Sequence, residues 1–473
     1  MFVETIRYPT TNPLIMKSSR SEIHRKIYAL PIFRFEDQQL TSFSGLVVFQ
    51  KLFEHLALKS RLRRCFQHLD ASPIFGHASI VLLLVVHLLL GYRELRHIRY
   101  YEDDPLVRRL LGLKRLPDVA TISRQLSAMD AKSVEHLSQL QQALVLDRLS
   151  LLALRRITID FDGSVIGTGR FAEGTAIGFN RKKKGQRSYY PLFCTVAQTG
   201  QVLAVLHRPG NVHDSNGAQA FILNCIEQIK NALPNVTIEV RMDGAFFSDA
   251  IVSALDEAGI EYTISVPFER FAQLKEIIEN RCRWNRLDNQ HDFFESNWKP
   301  KSWNVRHRFV FVRQQAKVQY KQAVQLDLFI PYEYGYTFKV VLTNKNLKAA
   351  KVVAFHNGRG SQEGIFAELK SQNALGYVPT RTWRGNQVYL LSVVLAHNLS
   401  RELQMITRPS SRTTQEKRIT LWDFEQLNTL RRRVIQRAGR LIRPQGRLTL
   451  SMGVNQAVQN ELLHYLDEIE KAA

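Results

Sequence analysis

Carboxylates are the side chains whose spacing in this chain is most suggestive of chemistry. In RITIDFDGSV, residues 156–165, Asp160 and Asp162 alternate with Ile159 and Phe161 and so share one face of a strand. A third aspartate, Asp243, stands at the end of VTIEVRM, where a further strand runs out. Strand ends in open sheets are where sites form. HNGRGSQEGIFAELK, residues 356–370, adds Glu363 and Glu368 among basic residues. Carboxylates brought to one sheet edge are hard oxygen ligands for divalent cations such as Mg²⁺. Two such ions activate a nucleophile and stabilise a leaving oxygen for in-line attack on a phosphodiester.

Helical geometry separates the two glutamates. At about 100° per residue, Glu363 falls within roughly 20° of Lys370, while Glu368 lies about 140° away. His356 and Arg359 project to the Glu363 side if the helix reaches back across Gly358 and Gly360. Glu363 is therefore the acid expected to share a face with the basic residues.

The elements that must position these acids follow from periodicity. Residues 1–150 read as helical, with Asp104–Pro105 and Asp118 as start signals. Two short helices joined across GLKRLP have the form of a helix-turn-helix carrying Arg108, Arg109, Lys114, Arg115 and Arg124. From residue 156 the order is β-β-β-α-β-α-β. Its first three strands form a meander turned at Thr199-Gly200, and the later ones are joined by helices, as in a ribonuclease H-like domain. Residues 268–344 shift to short strand-like runs such as HRFVFVRQQ and LDLFIPY, closing on FKVVLTN. The expected division is a helical DNA-binding domain over 1–150, a core over 151–267, a β-rich insertion over 268–344, the rest of the core with the Glu-bearing helix over 345–405, and a basic segment over 406–473.

Bulk composition agrees with a polyanionic partner. Lys and Arg number 65 against 43 acids among 473 residues, a formal charge of +22. The stretch 431–447 holds seven arginines and no acid, and RKKKGQR supplies Arg181, Lys182, Lys183, Lys184 and Arg187 beside the first strand. Four cysteines without metal spacing argue against zinc and against a disulfide framework. The apolar run 79–91 is short for a bilayer span and reads as a buried helix. No secretory signal is evident, so a cytoplasmic, nucleoid-associated protein without membrane contact is expected.

At this point a resemblance is clear. His356, Arg359, Glu363 and Lys370 match the spacing of the YxxRxxxExxxxxxK signature of cut-and-paste DDE transposases from bacterial insertion sequences, with His in place of the leading Tyr. IDFDGS is similar to that family's first-acid motif and favours Asp162 over Asp160. RMDGAFFS resembles the second-acid motif and makes Asp243 its acid. The family, too, places a β-rich insertion before the Glu-bearing helix. GYRELRHI, DPLVRRLLGL, GFNRKKKGQRSYYPL and RPGNVHDSNGA extend the resemblance from about residue 80 to 450.

The resemblance implies an α/β fold: a ribonuclease H-like catalytic core with a β-rich insertion, plus a helical N-terminal DNA-binding domain. It implies that Asp162, Asp243 and Glu363 bind two Mg²⁺ ions, with Mn²⁺ able to substitute. The enzyme would bind the terminal inverted repeats of its element as a homodimer on paired double-stranded ends, cleave there, and join the 3′ ends to target DNA. Arg359 and Lys370 would contact the DNA backbone, and His356 would bind a phosphate or stack on a base. The family's Tyr is associated with a DNA hairpin, a step the histidine leaves unassigned. A transposase-derived regulator without catalysis and a structure-specific nuclease are the alternatives. Asp160 reads as a supporting acid or a polar strand residue. His213 with Asp214 reads as a turn or a phosphate contact, and Trp284, Trp298 and Trp303 as core or base-stacking residues.

Overall fold

The computed structural model describes residues 36–70, 74–169, 171–178, 180, 183–213, 216–315, 335–413 and 417–472. The chain divides into two compact units, Met1–Gln38 and Gln39–Ala473, and the elements that follow belong to the second. Arg181, Lys182, Asp214 and the LDLFIPY run lie outside the described residues.

Strand β1 (Leu40–Thr41) precedes six helices: α1 (Leu46–His55), α2 (Leu58–Cys65), α3 (His77–Leu90), α4 (Pro105–Leu111), α5 (Val119–Ser127) and α6 (Ala131–Leu151). Local chemistry sets their ends. Asp104 accepts hydrogen bonds from the Leu106 and Val107 amides, both at 3.0 Å, with Pro105 at the first helical position. Asp118 caps α5 through the Thr121 amide at 2.6 Å. Helix α3 is the apolar run, buried from Ile80 to Leu90 and stopped by Gly91 at φ 94°. Its one polar interior residue, His87, meets the Tyr101 hydroxyl at 2.8 Å. Among the described residues no helix is long and apolar enough to cross a membrane.

Strands β2 (Arg156–Gly163), β6 (Leu192–Val196) and β7 (Val202–Leu206) form the meander, with Gly200 turning the hairpin at φ 62°. Between them, the short strands β3 (Ile166–Gly167), β4 (Ala176–Ile177) and β5 (Arg187–Tyr189) form a separate small sheet. Helix α7 (Ala218–Ala232) leads to β8 (Thr237–Met242), and α8 (Asp249–Glu257) to β9 (Glu261–Val266). Both β8 on β2 and β9 on β8 are parallel. Parallel pairing requires a crossover connection, which α7 and α8 provide. Val240, Met242, Ile251 and Leu255 are among the side chains packed into the core on the α7/α8 face of the sheet.

The segment expected as a β-rich insertion extends this same sheet. After α9 (Ala272–Glu279), strands β10 (Asn285–Arg286), β11 (His291–Trp298), β12 (His307–Gln315) and β13 (Tyr336–Thr343) pair antiparallel in turn, and β13 closes onto β9. The result is nine strands in the order β10-β11-β12-β13-β9-β8-β2-β6-β7. The insertion tryptophans are turned inward. Trp298 and Trp303 are 8% and 6% exposed, and Trp303 stacks on Phe247 with ring centroids 4.8 Å apart. Trp284 packs edge-on against Phe294. Aromatic core packing, rather than base stacking, accounts for all three.

The opposite face of the sheet receives α10 (Ala349–Asn357) and α11 (Ser361–Gln372), backed by α12 (Trp383–Thr407). Beyond them come α13 (Leu427–Leu430), β14 (Gly439–Ile442), β15 (Thr449–Met452) and α14 (Gln456–Lys471). Leu84 of α3, Leu391 of α12, Leu427 of α13 and Ile469 of α14 belong to one continuous apolar cluster. The boundary expected near residue 150 is thus no break in packing, because the long buried α12 serves the early helices and the sheet together.

Candidate functional site

The α10/α11 face of the sheet is polar, which follows from strand alternation. Thr158, Asp160 and Asp162 project from β2 on that face, and their registered neighbours on β8 are Glu239, Arg241 and, one step past the Phe161–Met242 pair, Asp243. Adjacent strands lie about 4.8 Å apart, so Asp162 and Asp243 start from neighbouring Cα positions although 81 residues separate them.

The buried end of this polar face is fully committed. Asp160 accepts both Arg241 Nε at 2.5 Å and Nη2 at 2.7 Å, and both side chains are buried. Asp160 is therefore a structural partner and not a candidate metal ligand. Arg241 also donates to the Phe355 and Lys417 carbonyls at 3.0 and 2.7 Å, tying β8 to α10 and to the segment after α12. Gly358 makes that approach feasible: a Cβ there would fall 1.8 Å from the Lys417 oxygen. Lys345 and Arg418 reach Glu239 at 2.8 and 3.1 Å. Burial pushes the Glu239 carboxyl up, but Lys345, Arg418 and the Thr158 hydroxyl together hold it below its ordinary value.

Toward the strand ends this face opens into a cleft of about 1030 Å³. Asp243, Glu363 and Lys370 line it, and so does Gly163, the residue after Asp162. Lys183, Arg270 and Tyr190 face it from the surrounding loops. Glu363, Ala367 and Lys370 are exposed and recur at helical spacing along one side of α11. Glu368 points the other way: it is 5% exposed, ion-paired with Arg401, and accepts the Leu427 amide at 2.9 Å.

Two carboxylates thus line one cleft, with Asp162 next to the lining residue Gly163, yet among the described residues no three His, Cys, Asp or Glu side chains are gathered closely enough to hold a metal ion. Two contacts explain part of this. Arg359 Nη1 donates to Asp162 Oδ2 at 3.3 Å, and Asp243 Oδ1 accepts the Ala245 amide at 2.9 Å, capping a short 3-10 turn. The donor set still suits a hard cation in kind, because each acid offers carboxylate oxygens from a separate rigid element.

Two expectations for DNA contact require correction. His356 is 1% exposed, and its ring bonds Ser265 Oγ at 2.8 Å and Thr263 Oγ1 at 3.0 Å. Burial first, then Lys339, Arg359 and Arg241, hold its imidazole well below the usual histidine range and hence neutral. The helical path bends through the 3-10 segment Gly358–Gly360, so α10 turns His356 onto β9 while α11 turns Glu363 to the cleft. Arg187, for its part, donates to Thr175 Oγ1 at 3.0 Å and lies over the Phe171 ring, bracing its own loop. Lys183 lines the cleft and Lys184 is exposed. Arg270 and Tyr190 escaped sequence reasoning, since a lone basic or aromatic residue in a loop carries no periodic signal.

An α/β protein with a large mixed sheet and an acid-lined cleft at its strand ends is the class these features define. The family model for the transposase DDE domain, group 1, matches residues 31–473, and the chain belongs to that family. It is accordingly a transposase, a protein of DNA transposition built around a DDE motif. No curated protein matches it. Among solved structures it is similar to the piggyBac transposase synaptic complex with hairpin DNA, at 11% identity over 82% of this chain and 79% of that one, with a TM-score of 0.38. It is also similar to the Mos1 transposase paired-end complex with left transposon end, at 11% identity over 41% and 60%, with a TM-score of 0.18.

Proposed function

We propose that this chain is the cut-and-paste transposase of a bacterial insertion sequence. It binds the terminal inverted repeats as a homodimer on paired ends, cleaves there, and joins the 3′ ends to target DNA. The observation that carries the reading is that Asp162 and Asp243 both lie one step past the last registered pair of two parallel strands, Phe161 and Met242, beside a cleft that Asp243 and Glu363 line. The strand order β7-β6-β2-β8-β9, with the first three antiparallel and the rest parallel, supports a ribonuclease H-like core. The helices before β2 then serve DNA binding.

Asp162, Asp243 and Glu363 would hold two Mg²⁺ or Mn²⁺ ions. When bound, such ions make a water or a DNA 3′-hydroxyl nucleophilic and neutralise charge on the leaving oxygen. The chain's own residues do the positioning. Lys370 shares the exposed side of α11 with Glu363 and, with Lys183 and Arg270, offers cationic contacts to the phosphodiester backbone around the cleft. Arg359, paired with Asp162 here, exchanges that carboxylate for a DNA phosphate as the site assembles. His356 supports the site from beneath by joining α10 to β9.

The test is strand cleavage of terminal-repeat DNA with and without Mg²⁺. Asp162→Ala, Asp243→Ala and Glu363→Ala should each abolish nicking while retaining end binding. End binding without nicking by the wild-type protein would identify a chemically silent regulator instead, and structure-specific cutting without strand joining would identify a nuclease.

A further inference from the structure

The stretch 431–447 reads in sequence as one basic run, but the fold divides it. Arg431 is buried, donating to the Leu89 and Leu88 carbonyls at 2.8 and 2.6 Å. Arg433 is paired with Glu425 and Glu461, and Arg437 donates back to the Arg433 carbonyl at 2.8 Å. These three hold the C-terminal elements together. Arg440, Arg443 and Arg447 are different. Each is exposed, and among the described residues their guanidinium groups make no hydrogen bond or ion pair.

All three are mounted on the β14–β15 hairpin, which is anchored and not a loose tail. Its register pairs Arg440 with Ser451, Leu441 with Leu450, and Ile442 with Thr449. Alternation sends Leu441, Leu450 and Met452 onto the main apolar cluster and leaves Arg440, Ile442, Thr449 and Ser451 on the outer face. Strand β1 pairs along the other edge of β14. At the tip, the Gly446 and Arg447 amides donate to the Arg443 and Pro444 carbonyls at 3.2 and 3.0 Å, with Gln445 and Gly446 at φ 51° and 80°. This tight turn sets Arg443 and Arg447 at its two ends. No acid occurs from residue 431 to 460, so nothing within the ribbon offsets their charge.

We propose that the β14–β15 hairpin is a second DNA-binding surface, separate from the acid-lined cleft, that takes the phosphate backbone of duplex DNA. A two-stranded ribbon fits within a major groove about 12 Å wide, and planar guanidinium groups match phosphate oxygens bidentately. On the same face the Ser451 hydroxyl adds a neutral donor typical of backbone contacts, while the Thr449 hydroxyl donates to the Arg447 carbonyl at 3.3 Å and braces the turn. The hairpin thereby extends the DNA footprint beyond the cleaved end. This rests on the transposase reading for the identity of the polyanion and on nothing about catalysis.

The experiment is salt-dependent binding of the full chain to duplex DNA, with terminal-repeat and unrelated duplexes as probes. Combined Arg440→Ala, Arg443→Ala and Arg447→Ala substitution should lower the slope of log K against log salt by about 2 to 3 and weaken binding at least about tenfold. The corresponding Lys substitutions should keep most of the slope, and thermal melting should be unchanged in both variants. Unaltered slope and affinity in the alanine variant would overturn the proposal, as would wild-type protein that fails to bind duplex DNA. A loss confined to anionic lipid vesicles would transfer the surface to a membrane and overturn it equally. Wild-type protein that binds DNA but does not nick it would defeat the catalytic reading alone, leaving the hairpin to be judged by its slope.

Discussion

Arg359, in the 3-10 segment joining α10 to α11, forms an ion pair with Asp162 of β2, Nη1 to Oδ2 at 3.3 Å, with each side chain 20% exposed. The guanidinium therefore occupies one oxygen of a carboxylate proposed, with Asp243 and Glu363, to hold the metal ions. Partly exposed pairs of this kind are worth about 1 kcal/mol. Arg359→Ala should accordingly tighten Mn²⁺ binding to the DNA-free protein about fivefold, read from the electron paramagnetic resonance of free Mn²⁺, while slowing strand cleavage. Unchanged or weaker Mn²⁺ affinity would show that the pair does not compete with the ion.

The two glutamates of α11 should separate cleanly in a stability measurement. Glu363 is exposed at the cleft, so Glu363→Ala should leave urea denaturation within about 0.5 kcal/mol of wild type. Glu368→Ala strands Arg401 in the core without its partner and should cost about 3–5 kcal/mol. A stable Glu368→Ala protein that has lost nicking would reverse the assignment.

His356→Tyr introduces the tyrosine of the signature this chain resembles at a position that is only 1% exposed. The larger ring would displace the hydrogen bonds to Thr263 and Ser265. Destabilisation of about 2–3 kcal/mol is expected from overpacking and unpaired hydroxyls. A direct DNA contact would instead show up as altered affinity for DNA ends at unchanged stability.

Acid should destabilise the protein well before its carboxylates titrate. Burial pushes the His87 imidazole down to about 3 and that of His397 to about 4. Both are neutral in the folded state, whereas the unfolded chain protonates them below about 6.5. Their contribution is complete above that pH and is lost progressively as pH falls toward the folded values, at about 1.4 kcal/mol per pH unit for each histidine. His397→Gln, which retains a donor for the Gly200 carbonyl 3.0 Å away, should flatten the dependence between pH 6 and 5 by about one such increment. A slope equal to wild type would mean that His397 does not stay neutral in the fold.

Much of the fold was legible in sequence because its signals are local. Asp104 and Asp118 cap helices as their positions suggest, the apolar run after residue 77 is buried, and RITIDFDG and HRFVFVRQQ are strands. Of the insertion strands β12 and β13 were also legible, but their union with the core sheet was not. Which strand β13 pairs with is decided by backbone hydrogen bonds between residues about 75 apart, beyond any periodic pattern. His356 departs from its expected side for a related reason: no single helical period runs through 356–370, because the 3-10 segment Gly358–Gly360 rotates α10 relative to α11.

The sequence by itself determined the candidate acids, their order, and the side of α11 that bears Glu363, since side-chain type and short-range period carry that information. Only the tertiary structure decided that Asp160 is spent on Arg241, that Arg359 rests on Asp162, and that a run of arginines divides between internal braces and an outward ribbon. The physical reason is that a charged group's role depends on which distant partner desolvates or neutralises it, and that partner is chosen by packing rather than by neighbours along the chain.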